Sequence, residues 1–352
     1  MKSVSIVIPN WNGLELLTEY FCSVVGAAER YHAEEHAEVE VIVVDDASAD
    51  SSREWLSEHE RNNIINLVEL QNNVGFVRAV NRGFQAATND VVFLLNNDVR
   101  VEPDCIFPLV KHFDEPNVFA VCCRADRIKT GRLDGGGKLG TFKRGFWRVF
   151  VNYEAIPSET GTDLISFFGS GGYTAYDRQK LMILGGFQDC LAPNYWEDVE
   201  ICYRAWKRGW TVRYEPTSLV HHLGSASMKK QPSNEMSIVT ELNRLLMTWI
   251  NLHERIWFAK HLGWLGLKLV GSVVSLRWNY LRSFRRALSK ISKVRAARRI
   301  ERKAAAVSDR ELAQKFAELI HKPGIYMVAD EQAEAAFAEM SRKTTASAQV
   351  KR

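Results

Sequence analysis

The stretch FLLNNDVRVEPD, residues 93–104, carries an apolar run straight into Asn96, Asn97 and Asp98. Asn and Asp bond their own backbone and tolerate turns, so a single strand end of this kind is an ordinary turn. Outward from it the same pattern recurs. Short β-branched runs at 4–8 (VSIVI), 40–45 (EVIVVD), 64–69 (IINLVE) and 91–95 (VVFLL) alternate with helical patterns at about 14–29, 51–61 and 76–87. That alternation predicts an α/β fold, a mostly parallel sheet with helices on its faces. Strands buried on both faces need near-continuous Val, Ile and Leu. In such open sheets ligands bind outside the carboxyl ends of the strands. Three of these ends are polar: Pro9, Asn10, Trp11, Asn12 and Gly13; Asp45, Asp46, Ala47 and Ser48; and Asn96, Asn97 and Asp98. One is a turn, but three at one sheet edge predict a site. Ser48 also suits the cap of the following helix, and the adjacent Asp45 and Asp46 repel unless something hydrogen-bonding separates them.

The chain has 352 residues, 46% hydrophobic and 25% charged, with a formal net charge of +4. That is globular material, enough for one large or two modest domains. Six cysteines show neither a CxxC pair nor zinc-ligand spacing, which predicts a reducing compartment. The apolar run before Pro9 is too short for the core of a signal peptide, so the cytoplasm is expected.

From 112 the pattern is less regular. VFAVCCRADR predicts a strand, and TGRLDGGGKLGTFKRGFWRVF predicts a hairpin and a mobile loop near the site. Gly135, Gly136 and Gly137 fit neither a Walker loop nor GxGxxG. Further on, Gly171 and Gly172 precede a strand over 173–176, after which Asp177 caps a helix ending at Gly185 and Gly186. Glu197 and Asp198 open a helix over 197–208. Acidic residues favour a helix's first turn for dipole reasons alone, yet Tyr195 and Trp196 beside them offer the apolar wall that tunes a carboxylate toward base duty. His221 and His222 are placed after a strand at 211–215 by a short loop, and need a carboxylate partner to act as metal ligands.

The ordered segments SIVIPNWNG (5–13), VIVVDDASADSS (41–52), NVGFVRAVNRGF (73–84), LLNNDV (94–99), GSGGYTAYDR (169–178), YWEDVEICYRAWKRGW (195–210) and HHLGSAS (221–227) together resemble glycosyltransferase family 2. These are inverting enzymes of the GT-A type, and the resemblance points to the bacterial rhamnosyltransferase-like branch. It implies a nucleotide-diphospho-sugar donor, dTDP- or UDP-linked, held by Pro9, Asn10, Asn12, Asp45, Asp46, Asn73, Gly75, Arg78, Asn81, Asn96 and Asn97. Asn96-Asn97-Asp98 stands where the family has Asp-X-Asp. One carboxylate, Asp98, is left for a divalent cation, Mn²⁺ or Mg²⁺, with His222 joining it. By resemblance Asp198 is the general base, Glu197 supports it, and Gly171, Gly172 and Trp196 meet a glycan or glycolipid acceptor. The rivals are a nucleotidyltransferase of related fold and a non-catalytic scaffold.

The catalytic domain is expected over 1–228, a helical region over 229–325 and a flexible tail over 326–352. Residues 256–276 are apolar but broken by Lys260, His261 and Lys268, which argues for a segment lying on a membrane rather than spanning it. Residues 277–303 hold eleven Lys or Arg against Glu301, with Trp278, Leu281, Phe284, Leu288, Ile291 and Val294 as an apolar stripe. A basic amphipathic helix of this kind predicts binding to an anionic membrane surface, peripheral on the inner face of the cell membrane. The alternative is a stripe packed on the catalytic domain or on a second subunit in a homo-oligomer. Nucleic acid is not expected as a partner.

Overall fold

The structure is a computed structural model that describes residues 1–156, 163–224 and 233–328. The expected apolar runs form β1 (Val4–Asn10), β2 (Val39–Asp45), β3 (Asn66–Glu69) and β4 (Val91–Leu95), paired in parallel in the order β3-β2-β1-β4. Helices α1 (Leu14–Glu35), α2 (Ser52–Arg61) and α3 (Phe76–Ala86) connect them. Successive strand residues point to opposite faces, so Val7, Val92 and Leu94 join Val80 and Phe84 in one core, while Ile6, Ile8 and Phe93 join Leu17, Phe21 and Val24 in another.

The chain continues through β5 (Val99–Val101), α4 (Ile106–Val110), β6 (Val118–Arg127), β7 (Leu133–Gly135), β8 (Gly137–Lys143), β9 (Phe146–Ala155), β10 (Tyr173–Asp177), α5 (Arg178–Leu184), α6 (Glu197–Lys207) and β11 (Thr211–His222). Then come α7 (Ser233–Asn251), α8 (Arg255–Val274), α9 (Trp278–Ser289), α10 (Ile291–Ala304), α11 (Asp309–Ile320) and β12 (Ile325–Val328). The main sheet runs β3-β2-β1-β4-β10-β6-β11-β5, with β7 on β6. Its first four strands are all parallel, and beyond them the pairing is mixed. β10 pairs antiparallel with β4, Tyr173 opposite Leu95, so it starts where β4 ends and brings Gly171 and Gly172 to that edge. β11 pairs in parallel with β6, which is itself antiparallel to β10. Its carboxyl end therefore arrives at the same edge as that of β4.

Three expectations are corrected. The glycine-rich segment forms the expected hairpin, β8 and β9 closed by Arg144 and Gly145, both at positive φ (51° and 75°), but Gly135 and Gly137 fall in β7 and β8 rather than in a loop. His221 and His222 lie within β11 rather than after it, because a register shift between Glu215 and Leu219 absorbs Pro216 and lets the strand continue. The basic stretch is two helices, α9 and α10, broken at Lys290; Tyr280, Ser283, Ala287 and Val294 are buried, whereas Trp278 and Leu288 of the expected stripe are exposed. Ile291 and Val294 pack with Leu242, Leu245, Leu246 and Ile250 of α7, so that part of the stripe meets protein. β12 pairs with β9 and takes in residues 326–328 of the expected tail; residues 329–352 lie outside the described ones, as do Ser225 and Ser227.

Candidate active site

The carboxyl edge of the sheet opens into a cleft of about 410 Å³. Pro9, Asn10, Asp46, Asn73, Gly75, Asn96, Asn97, Asp98, Gly171, Gly172, Glu197, Asp198 and His222 line it, as expected from sequence, together with Trp11, Phe76, Ala79, Pro193, Asn194 and Tyr195. Asn12, Asp45, Arg78, Asn81 and Trp196 do not line it.

Local hydrogen bonding explains the division. Asp45 is fully buried, accepting from Asn10 Nδ2 (3.1 Å), Ser48 N (2.9 Å) and Arg53 Nε (3.3 Å); it holds the ends of β1 and β2 together. Asn12 does similar work, its Oδ1 accepting from Ala49 N at 2.7 Å. Asp46 points the other way, one oxygen accepting from Val74 N (2.7 Å) and the other from Gly75 N (2.9 Å). Burial still lifts its pKa above the ordinary value. The two carboxylates face separate donors, and the Asp45 charge adds to burial in raising Asp46. Ser48 does not cap α2; its hydroxyl accepts from Asn12 N at 2.8 Å. Gly75 sits at φ 84°, where a Cβ would come within 2.7 Å of Pro193, so glycine is required. Arg78 reaches away to Asp189 at 2.5 Å, and Asn81 clamps Phe187 through both its amide atoms at 2.8 Å.

At the end of β4, Asn97 Nδ2 donates to Asn10 Oδ1 at 2.8 Å, which ties the middle of the motif to β1. Oδ1 of Asn96 and Oδ1 of Asp98 are buried without a hydrogen-bond partner. Asp98 Oδ1 stands 3.4 Å from His222 Nε2. His222 Nδ1 lies 2.7 Å from Asp134 Oδ2, and Arg127 Nε donates to Asp134 Oδ1 at 2.9 Å. Burial opposes charging His222, but the Asp134 and Asp98 carboxylates outweigh it and hold the imidazole at about 9. His221 turns to the opposite face and meets Glu102 at 2.7 Å, so of the pair only His222 serves the cleft. Among the described residues no three of His, Cys, Asp and Glu form a ready-made metal cluster. Asp98 and His222 nevertheless fit a divalent cation, which would displace the proton from His222 Nε2 on binding. One orphaned carboxylate oxygen and one imidazole nitrogen converge, the other ring nitrogen is held by a carboxylate, and ions of this kind take further ligands from phosphates.

At the start of α6, Tyr195 and Trp196 both adopt left-handed backbone, φ 72° and 69°. Strain of this kind persists only where surroundings enforce it. Here Asn243 of α7, fully buried, donates from Nδ2 to the carbonyls of Leu191 (2.6 Å), Asn194 (2.8 Å) and Tyr195 (3.0 Å). Trp196 is turned inward against Phe150, rings 5.3 Å apart at 79°, so Tyr195 rather than Trp196 faces the cleft. Asp198 accepts from Gly171 N (3.2 Å) and Val199 N (2.7 Å). Burial raises its pKa to about 6, those two N–H groups and the Lys138 charge pulling against it. Glu197 is pushed well above its ordinary range by burial and by the Asp198 charge, and its Oε2 has no partner. Lys138, buried in β8, bonds Asn152 and sits over the Phe168 ring at 5.7 Å.

Asp134, Lys138 and Asn243 escaped sequence reasoning because pairing and helix packing bring them in, with no local signal. Tyr195 and Trp11 did carry a signal, standing inside motifs already singled out.

Residues 5–181 match the family described as Glycosyl transferase family 2. The probable N-acetylgalactosaminyltransferase 9 of Caenorhabditis elegans is 26% identical over 234 residues, 62% of this chain and 40% of its own length. The poly-beta-1,6-N-acetyl-D-glucosamine synthase of Staphylococcus aureus (strain COL) is 21% identical over 227 residues, 62% of this chain and 49% of its own. The chain thus spans less than half the length of these curated relatives. Among solved structures, GalNAc-T7 with UDP, GalNAc and Mn²⁺ superposes at TM-score 0.58 and 22% identity, over 72% of this chain and 49% of that one. The mannosyltransferase PcManGT from Pyrobaculum calidifontis, in complex with GDP-Man and Mn²⁺, does so at 0.50 and 18%, over 91% and 85%. At these identities the likeness shows the fold.

Proposed function

The chain belongs to glycosyl transferase family 2 and has a GT-A type fold, and from that premise we propose that its cleft moves a sugar from a nucleotide-diphospho-sugar to an acceptor hydroxyl with inversion. The observation that carries this reading is the pair of adjacent carboxyls lining the cleft at the head of α6, Asp198 being oriented there by the N–H groups of Gly171 and Val199. Burial raises Asp198 to about 6, and burial together with the Asp198 charge pushes Glu197 well above its ordinary range. Pairs pushed apart in this way divide acid and base roles. Asp198 takes the proton from the acceptor hydroxyl as it attacks the anomeric carbon, and the bonds from Gly171 N and Val199 N fix the direction of its free lone pairs. Glu197, beside it in the cleft, supports Asp198 or binds the acceptor. Attack from the face opposite the departing diphosphate inverts the carbon.

In this reading the donor lies along Pro9, Asn10, Asp46, Asn73, Gly75, Asn96 and Asn97, with Trp11 and Phe76 offering aromatic faces to its base, and Gly171 and Gly172 border the acceptor. Asp98 and His222 would hold Mn²⁺ or Mg²⁺, which when bound offsets charge on the diphosphate as a Lewis acid. The imidazole favours Mn²⁺, and the Mn²⁺ of the two structural neighbours supports that choice. A dTDP- or UDP-linked donor of the rhamnosyltransferase-like branch, a lipid-linked surface or wall glycan precursor as acceptor, and a site of action on the inner face of the cell membrane complete the proposal. So does the division into a catalytic domain over 1–228 and a helical region over 229–325 that meets the membrane through 277–303.

The test is thermal stabilisation by UDP, dTDP, GDP and CDP, each with and without Mn²⁺. A ligand that binds only the native state raises its stability by mass action. One nucleotide should stabilise the protein in a metal-dependent way, Asp98→Ala should blunt that shift, and Asp198→Asn should keep it while losing transfer. Absence of any shift would replace the enzyme with a non-catalytic scaffold, and release of pyrophosphate would make it a nucleotidyltransferase.

A further inference from the structure

Helix α8 is apolar on both sides. Its protein-facing side packs Leu265, Phe258 and Leu269 around polar groups: His261 is fully buried, with Nε2 accepting from Trp249 Nε1 at 2.9 Å and Nδ1 lying 2.8 Å from Gly145 O. Lys268 Nζ donates to Glu241 Oε2 at 3.0 Å and sits 4.0 Å from the centre of the Tyr280 ring. Its outward side presents Leu262, Trp264, Leu267, Val270 and Val274, with Trp278 just beyond; Leu267 and Val270 are 65% exposed and Val274 is 80% exposed. A helix on a water-facing surface turns a polar face outward, and a contiguous exposed apolar patch rimmed by polar groups marks a contact surface.

Charge identifies what it contacts. From Arg255 to Ile300, 46 residues, there is no Asp or Glu, against twelve Lys or Arg. Lys260 on α8 and Arg282 and Arg285 on α9 are exposed. A contact between two copies of this chain would gain nothing from cations alone around an apolar ridge, since each copy would bring the same charge. An anionic leaflet matches both features: apolar side chains enter the acyl boundary while cations meet the headgroups. Among the described residues no helix is long and apolar enough to cross a membrane, so α8 would lie in the plane of the surface.

We propose that the outward face of α8, from Leu262 to Trp278, seats in the interfacial layer of an anionic membrane leaflet, with Lys260, Arg282 and Arg285 at the headgroups. This rests on the membrane reading of 277–303 and shifts insertion onto α8, leaving the basic helices to supply attraction. It does not depend on the donor or the metal. Because α8 is anchored to the β8–β9 turn through His261 and Gly145, seating it would also fix how the catalytic sheet stands over the surface.

The test uses the full chain with sedimenting vesicles of phosphatidylcholine alone and of an equal mixture with phosphatidylglycerol. The wild type should sediment with the mixed vesicles, and brominated acyl chains should quench emission that is lost in Trp264→Phe with Trp278→Phe. Leu267→Glu with Val270→Glu should weaken partitioning by about tenfold or more while leaving the thermal melt unchanged. Arg282→Glu with Arg285→Glu should remove the salt-sensitive part and keep residual quenching. If the α8 variant sediments like the wild type and bromine does not quench, while the arginine variant fails to sediment, insertion by α8 falls and the basic-surface reading stands. If the wild type ignores vesicles but self-associates, and Leu267→Glu with Val270→Glu abolishes that, the occupant is a second copy and the proposal is overturned. If it neither sediments nor self-associates, both membrane readings fall.

Discussion

Helices α6 and α8 are each at odds with the usual pattern, in opposite directions. α6 is buried almost all round although it carries five acidic or basic side chains: Glu200 and Arg204, both within 1% of full burial, pair at 2.8 Å, and Arg204 Nη1 and Nη2 donate to the carbonyls of Leu184 and Gly186, each at 2.7 Å. Lys207 meets Asp309 at 2.8 Å, and that carboxylate also accepts from Tyr203 Oη (2.6 Å), His253 N and Glu254 N (both 2.7 Å). α8 hides a histidine and exposes leucines and valines. The difference teaches that neither helix's environment follows from its composition. A charge can be buried when every bond it needs is met, and an apolar side chain can be exposed when its partner is not this chain.

The largest effect should come from the open end of α6. Asp198→Asn removes the proposed base and should lower transfer on the order of 10² to 10⁴ fold with the fold intact; near-normal turnover would break the assignment. The same variant has a pH signature. A carboxyl whose pKa is raised on folding stabilises below its unfolded value, and that contribution is lost as pH rises through the folded value, here about 6. Unfolding at pH 8 should therefore show Asp198→Asn more stable than the wild type by on the order of 2 kcal/mol, with little difference at pH 4. Transfer by the wild type should fall as pH drops below about 6.

Next in size is the buried end. Arg204→Ala strands Glu200 without its cation and should destabilise by about 3 to 5 kcal/mol in denaturant unfolding; a change under about 1 kcal/mol would mean that the pair contributes little. Asn243→Leu leaves three carbonyls of the strained loop without their donor, for about 1 to 3 kcal/mol. Its turnover should fall as well, because the loop positions Glu197 and Asp198. The smallest effect on stability belongs to α8: Leu267→Glu should stay within about 0.5 kcal/mol of the wild type. A larger loss would show that protein, not solvent or lipid, covers that face.

The four parallel strands were legible because burial on both faces forces runs of Val, Ile and Leu, which little else in a globular chain requires. Asn10, Asp46, Asn96, Asp98, Asp198 and His222 were legible because they interrupt or follow such runs at the edge where the backbone opens. Arg78 and Asn81 misled: they stand in the helix that follows Gly75, but the helical turn carries their side chains round to Asp189 and Phe187, away from the cleft. Asp134 reaches His222 because β7 pairs with the end of β6, a contact between residues 88 apart that leaves no local trace.

By itself, then, the sequence determined the sheet edge, the chemistry presented there and the acid-free basic stretch near the end, since these follow from residue type and period. The tertiary structure alone decided which of two adjacent carboxylates faces the cleft, which of two histidines meets Asp98, and which side of α8 is left uncovered. Those are matters of direction. They depend on which donors and which neighbouring elements arrive around each side chain, and long-range pairing settles that only once the chain has folded.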